Sequence, residues 1–419
     1  DAIVNVGKVE GGVYEGEIES RDKEKSAVYG CNRYKGSPKG NVYVKVYKTK
    51  HTTTDSATFV STEPQSKTYA IPKVFGGGAQ ADYEPDAGKQ IYLTIYNCDN
   101  TIQDVFGGGD AADVQKTKTV IEGGRMGRVF AGGNGTSDTA NVNDSAILIV
   151  KGGKIGQLFG GSNQRGSVNQ VAVTINHEGS CYEEIDEYFG GSNEADLTGD
   201  IETTIECGTK FGSVYGGSNK ADITGNVTLN INGGTIKNVY GGSKGASGTE
   251  SADSANITGN VTLNIYGGEI GKAFGGSNIN GNITGKITVN VEDTATLSNI
   301  SLDTVFGGSN LAAYTPNQVG GNLIASHEVN IKNVKSSTIK DVFGGGLGQT
   351  AVVTSNPKVT IGDLTVGTNQ AIVTNVFGGG DLADVEGTAT VLVQKGNSRV
   401  TYVYGGGNAS DCDSVWLTV

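Results

Sequence analysis

Six aspartates, Asp82, Asp113, Asp196, Asp222, Asp384 and Asp411, each stand seven residues after an aromatic residue that runs into a glycine-rich turn. They form three pairs from consecutive repeats, 82 with 113, 196 with 222 and 384 with 411. Carboxylates stacked at one repeat spacing repel by about 1 kcal/mol even in water, so something must offset the repulsion. Two chemistries would do so: each carboxylate caps the backbone N–H groups of its own turn, or pairs of them hold Ca²⁺ between coils, since hard cations favour such oxygens. Proton-transfer chemistry on sugars needs carboxylates gathered with Lys or Arg, and no repeat concentrates them in sequence. The three histidines, His51, His177 and His327, fall at unrelated positions of the repeat and read as solvated or structural. The cysteines at 31, 98, 181, 207 and 412 lack the CxxC spacing of zinc or redox sites. Cys181 and Cys207 each precede their aromatic by eight residues and are the candidate pair; an odd count leaves a thiol over. The GGSN strings lack the strand, helix and lysine of a phosphate loop.

The aromatics that set this spacing are Phe75, Phe106, Phe130, Phe159, Phe189, Tyr215, Tyr240, Phe274, Phe306, Phe343, Phe377 and Tyr404, with a weaker one at Tyr29. From Phe75 to Tyr404 the intervals run from 24 to 37 residues, the mark of a solenoid coil with tolerated insertions. In VYGGSNKADITGNVTLNINGGTIKNVY, Ile223, Val227, Leu229 and Ile231 alternate with polar residues, a strand with one buried face. Four residues before every anchor stands an apolar residue, such as Ile71, Met126, Ile236 or Val400. The pattern predicts an all-β, right-handed parallel β-helix of about 12–13 coils with three short strands per coil, spanning 71–419 behind a capping region at 1–70 that holds the irregular first coil or coils. A left-handed hexapeptide helix needs a shorter turn, and a propeller needs four longer strands per unit.

Stacked coils align equivalent residues into columns. Asn134, Asn163, Asn193, Asn219, Asn278, Asn310 and Asn408, each four residues after an anchor, predict an asparagine ladder. The anchors themselves are expected to point inward as a second ladder. Insertions at Lys244–Ser254, Leu311–Gly321 and Leu347–Lys358 enlarge one corner, and loops on a rigid scaffold carry binding. Tyr314 in that cluster is the expected ligand contact.

Glycine fills 67 of 419 positions and proline only 6, which excludes collagen and a flexible linker. With 44 acidic against 32 basic residues, net charge −12, and no basic stripe, nucleic acid is not an expected partner. No apolar run is long enough for a transmembrane segment. The chain opens on Asp1, consistent with a removed leader, and its last strand suggests that the natural protein continues past Val419 with Trp416 facing outward.

The VYGGSN, ADITGN and VTLNI units resemble the glycine-rich repeats of bacterial adhesin-like surface proteins that form right-handed β-helices, especially those of gut bacteria, over roughly residues 70 to 419. GGTI at Gly233 and GGEI at Gly267 are also similar to the chlamydial polymorphic outer-membrane repeats, although the aromatic-to-Asn interval is one residue longer here. The resemblance implies a secreted or cell-surface location and an interaction role with an extracellular glycan or a host or bacterial surface protein; it brings no catalytic residues. The expected function is therefore non-enzymatic binding with no resident cofactor. A polysaccharide lyase or glycoside hydrolase on the same scaffold is the competing expectation.

Overall fold

The computed structural model describes residues 1–7, 19, 22, 25–49, 69–176, 181–206, 208–247, 254–293, 300–319, 322–323, 326–332, 334, 338–362, 372–394 and 398–419. His51, His177, Cys207 and parts of the first two insertions lie outside the described residues. Those described are all strand, turn and loop, without a helix, and none of them forms a helix long and apolar enough to cross a membrane. The chain forms two compact units, Asp1–Thr198 with Gly208–Phe211, and Gly199–Cys207 with Gly212–Val419.

In the first unit one parallel sheet runs through Ala2–Val6, Val42–Val46, Ile91–Ile95, Val114–Ile121, Val142–Val150 and Val168–Ile175. A second runs through Ala27–Tyr29, Ile71–Phe75, Thr101–Phe106, Arg125–Phe130, Gly153–Phe159 and Glu183–Phe189. Strands alternate between the two sheets along the chain, so each turn of chain adds one strand to each. In the second unit the first sheet consists of Ile201–Ile205, Val227–Ile231, Val261–Ile265, Ile287–Val291, His327–Ile331, Lys358–Ile361, Val385–Val393 and Cys412–Thr418. Its second sheet holds the part of Lys210–Tyr215 from Gly212 on, then Thr235–Tyr240, Gly268–Phe274, Ile300–Phe306, Thr338–Phe343, Ile372–Phe377 and Arg399–Tyr404. This is a parallel β-helix, as the alternation and the turns predict.

Register follows the repeat residue by residue: Val227, Leu229 and Ile231 stand opposite Val261, Leu263 and Ile265, and these opposite Ile287, Val289 and Val291. All nine are fully buried, because a period-two strand places every second side chain inside the coil. The anchors stack face to face in each unit with ring centroids 4.6 to 4.9 Å apart, from Tyr29 to Phe189 in one and from Tyr215 to Tyr404 in the other. They point inward, as expected, and only Tyr404, the last ring, is exposed, at 45%. The spacing equals that of neighbouring strands, so in-register pairing leaves the rings no other arrangement. The glycine after each ring is a close approach: a Cβ on Gly275 would meet the Gly307 carbonyl oxygen at 2.5 Å.

The structure departs from the expectation in one place. Within each unit two faces rather than three run as long parallel sheets. In the second unit the third face is carried by isolated parallel bridges, Ile223 to Ile257 to Ile283 and Tyr314 to Val353 to Val385. Ile257, Ile283, Tyr314 and Val353 each stand as a single inward apolar residue outside any strand, whereas Val385 opens the strand Val385–Val393. Within residues 1–70, where irregular first coils are expected, Ala2–Val6 pairs in register with Val42–Val46, and Val28 and Tyr29 stand opposite Val74 and Phe75.

Candidate functional site

The asparagine column is built of coil-to-coil amide bonds. Asn193 donates to Asn163 (2.8 Å), Asn163 to Asn134 (2.7 Å) and Asn134 to Asp110 (2.8 Å). In the second unit Asn310 donates to Asn278 (2.8 Å) and Asn408 to Asp381 (2.8 Å). Asn278 turns to the Tyr215 hydroxyl (3.0 Å), because the coil between it and Asn219 carries Lys244 at that position. A further ladder, Asn330 to Asn290 to Asn264 to Asn230, runs on the outer face of the first sheet at 3.1, 2.9 and 2.8 Å. The sequence reading treats Asn230 only as an outward polar residue.

The aspartate column caps backbone N–H groups, though not those of its own turn. Asp82 Oδ1 accepts the backbone N–H of Asp113 (2.8 Å), Asp113 Oδ1 that of Asn141 (2.8 Å), Asp222 Oδ1 that of Asn256 (2.7 Å) and Asp384 Oδ1 that of Asp411 (2.9 Å). Each of these carboxylates caps the next coil, not its own turn, which places a partial positive charge beside each negative one. Asp196 is exposed at the same corner. Among the described residues no group of three His, Cys, Asp or Glu side chains converges as a metal site would. Adding Ca²⁺ and then a chelator is expected to shift the thermal midpoint by no more than about 1 °C; a Ca²⁺-dependent rise of several degrees would hand the column to the metal.

Tyr314 is not a surface contact. It is 1% exposed in the third inward row, its hydroxyl donates to the Gly285 carbonyl (2.9 Å), and its ring meets His327 edge-on at 5.3 Å. Although it lies in an insertion, this residue stays in register with Val353. Cys181 is joined to Cys98, not Cys207, while Cys31 and Cys412 are free. Burial pushes the Cys31 thiol up to about 12 and raises that of Cys412, so both stay protonated and poorly nucleophilic.

Following the asparagine column toward low residue numbers locates the candidate site. The position four after the anchor is Asn163, Asn134 and Asp110 in successive coils, then Ala79, then Arg33. Ala79 lacks an amide to continue the ladder, and the gap opens a cleft of about 510 Å³ lined by Lys25, Tyr29, Arg33, Tyr34, Gln80, Asp110 and Thr136. Asp110 closes the ladder and is saturated with donors: Asn134 Nδ2 (2.8 Å) and Thr136 Oγ1 (3.2 Å) on Oδ1, and the Tyr29 hydroxyl (3.2 Å) on Oδ2. Burial, then the Asp110 carboxylate, pushes the Tyr29 phenol up to about 12, so it remains the donor. Tyr34 is 58% exposed, with the Arg33 guanidinium 4.4 Å from its ring centroid. Sequence reasoning noted Tyr29 as a weak anchor and missed the rest; the signal available was the break at Ala79 in an otherwise polar column.

A charged band on the outer face of the second sheet in the first unit also escaped the sequence reading. Arg128 forms a two-pronged bond to buried Asp104 (2.8 Å each), Lys154 reaches Glu184 (3.1 Å), and Gln157 donates to Glu187 (2.9 Å). Half-buried Asp186 titrates near 6, raised chiefly by burial and further by Glu184 and Glu187, with Lys154 opposing. Asp104, Arg128, Gln157, Asp186 and Glu187 come from the two-residue gap between inward residues, a break in strict alternation, whereas Lys154 and Glu184 stand just before the first inward apolar residue of their strands.

The class of protein that this fold defines is the parallel β-helix solenoid. No protein-family model, curated protein or solved structure matches the chain.

Proposed function

We propose that the protein is a non-enzymatic, exported cell-surface β-helix of adhesin-like type that binds a glycan. The cleft at the broken asparagine column carries the reading: an exposed tyrosine ring, a cation beside it and hydrogen-bonding groups on a rigid scaffold form the kind of surface that holds a sugar. Asp110 is the one carboxylate among the described residues lining it and its oxygens are taken by three donors, whereas glycoside hydrolysis uses two carboxylates. The Cys98–Cys181 disulfide supports an oxidising compartment, and the repeat's resemblance to adhesin-like surface proteins supports the same location. Screening on a glycan array with reducing-end release assayed in parallel is expected to give binding without release; no binding, or release of new sugar ends, would overturn the proposal.

A second reading, a polysaccharide-cleaving enzyme, is favoured by one observation, the half-buried Asp186 poised near pH 6 among Lys154, Glu184 and Glu187. It requires release of sugar ends that Asp186→Asn abolishes while binding at the cleft persists.

A further inference from the structure

We infer that the cleft selects a carboxylate-bearing saccharide, with Arg33 as the residue that reads the carboxylate. The inference rests on the glycan-binding proposal and narrows it. Arg33 is exposed, its guanidinium is held over Tyr34, and among the described residues no carboxylate pairs with it. This is notable in a chain with 44 acidic and 32 basic residues, where acidic partners are abundant. The one carboxylate among the described residues that line the same cleft, Asp110, turns its oxygens to Tyr29, Asn134 and Thr136 instead of to Arg33. Lys25, also without an ion-pair partner among the described residues, lines the cleft and adds a second positive charge.

Stacking on Tyr34 orders the guanidinium before any ligand arrives. A planar fork of N–H donors matches a planar carboxylate through two parallel bonds; the sulfated glycans in the test separate this from plain attraction of an anion. With the carboxylate on Arg33, Gln80 and Thr136 remain on the cleft wall for sugar hydroxyls, and the open side of Tyr34 for a sugar face. The local charge also opposes the protein's net charge of −12, so attraction is confined to this spot and weakens with salt.

The test uses the whole protein on an array of neutral, uronate-bearing, sialylated and sulfated glycans, followed by titration of each bound acidic glycan against its methyl ester. Carboxylated members are expected to bind, with affinity falling about tenfold or more on esterification. Arg33→Ala should abolish that difference, and Tyr34→Ala should weaken acid and ester alike. Equal binding of acid and ester, retention of the preference in Arg33→Ala, or binding confined to neutral or sulfated glycans would overturn the carboxylate inference and leave glycan binding standing. An array with no bound glycan would sink the parent proposal.

Discussion

Replacing Cys98 and Cys181 by serine is expected to lower the unfolding free energy of the unit they staple by about 4 kcal/mol. The bond closes a stretch of 83 residues, so reduction frees a long segment of the unfolded chain while the native contacts of the coils are unchanged. Cys98 follows the strand Ile91–Ile95, and Cys181 precedes Glu183–Phe189. Their Cα atoms nonetheless lie 5.4 Å apart, because Cys181 lies over the corners of the intervening coils. Those corners are glycine: a Cβ on Gly123 would stand 2.2 Å from Cys181 Sγ, and one on Gly152 would stand 3.0 Å from the Cys181 carbonyl oxygen. Gly123→Ala should therefore destabilise the oxidised protein and cost much less in the double-serine background. Urea unfolding of the four proteins in this cycle checks it; equal costs in both backgrounds would mean that the cystine does not press on Gly123.

Acidification should unfold the second unit through His327, with about 3 kcal/mol of its stability lost between pH 6.5 and 4. His327 is fully buried at a position where the two preceding coils carry Val261 and Ile287. Its Nε2–H donates to the Gly344 carbonyl, and Nδ1 accepts from the Ser355 hydroxyl at 3.3 Å, an arrangement that suits the neutral ring. Burial is the main cause that lowers it to about 4, with the Gly344 bond partly opposing. Because the folded value lies below the unfolded one, the contribution is fully present above pH 6.5 and disappears as pH falls through 4. Asp186 in the other unit runs in the opposite sense: raised to about 6, it gains stability as pH falls below that value. His327→Val should remove the acid sensitivity of the second unit alone, losing a little stability at pH 7 where Ser355 and Gly344 forfeit a partner. An unchanged difference between wild type and variant from pH 7 to pH 4 would exclude the buried histidine as the cause.

Much of the fold was legible because a solenoid writes its architecture locally. Alternation at Val227, Leu229 and Ile231, an aromatic such as Phe274 every coil and the glycines after it specify strand, inward ladder and turn, and repetition then leaves in-register stacking as the arrangement that buries them all. The asparagine ladder followed from the same logic. Tyr314 did not, since a residue inside an insertion carries no mark of whether its ring turns outward or closes the third inward row. The partner of Cys181 is hidden for a related reason: equal distance from an anchor implies neighbouring coils only while the chain keeps to the repeat, and here Cys181 lies back over Gly123 and Gly152.

The chain's periodicity thus dictated the type of coil, its inward columns and its corners, because each depends on contacts between equivalent positions of adjacent repeats. Folding alone decided the cleft, the charged band and the cystine. Each joins residues from different places in the coil, such as Arg33, Asp110 and Thr136, and the side-chain gap at Ala79 that brings them to one opening has meaning only once the coils are stacked in space.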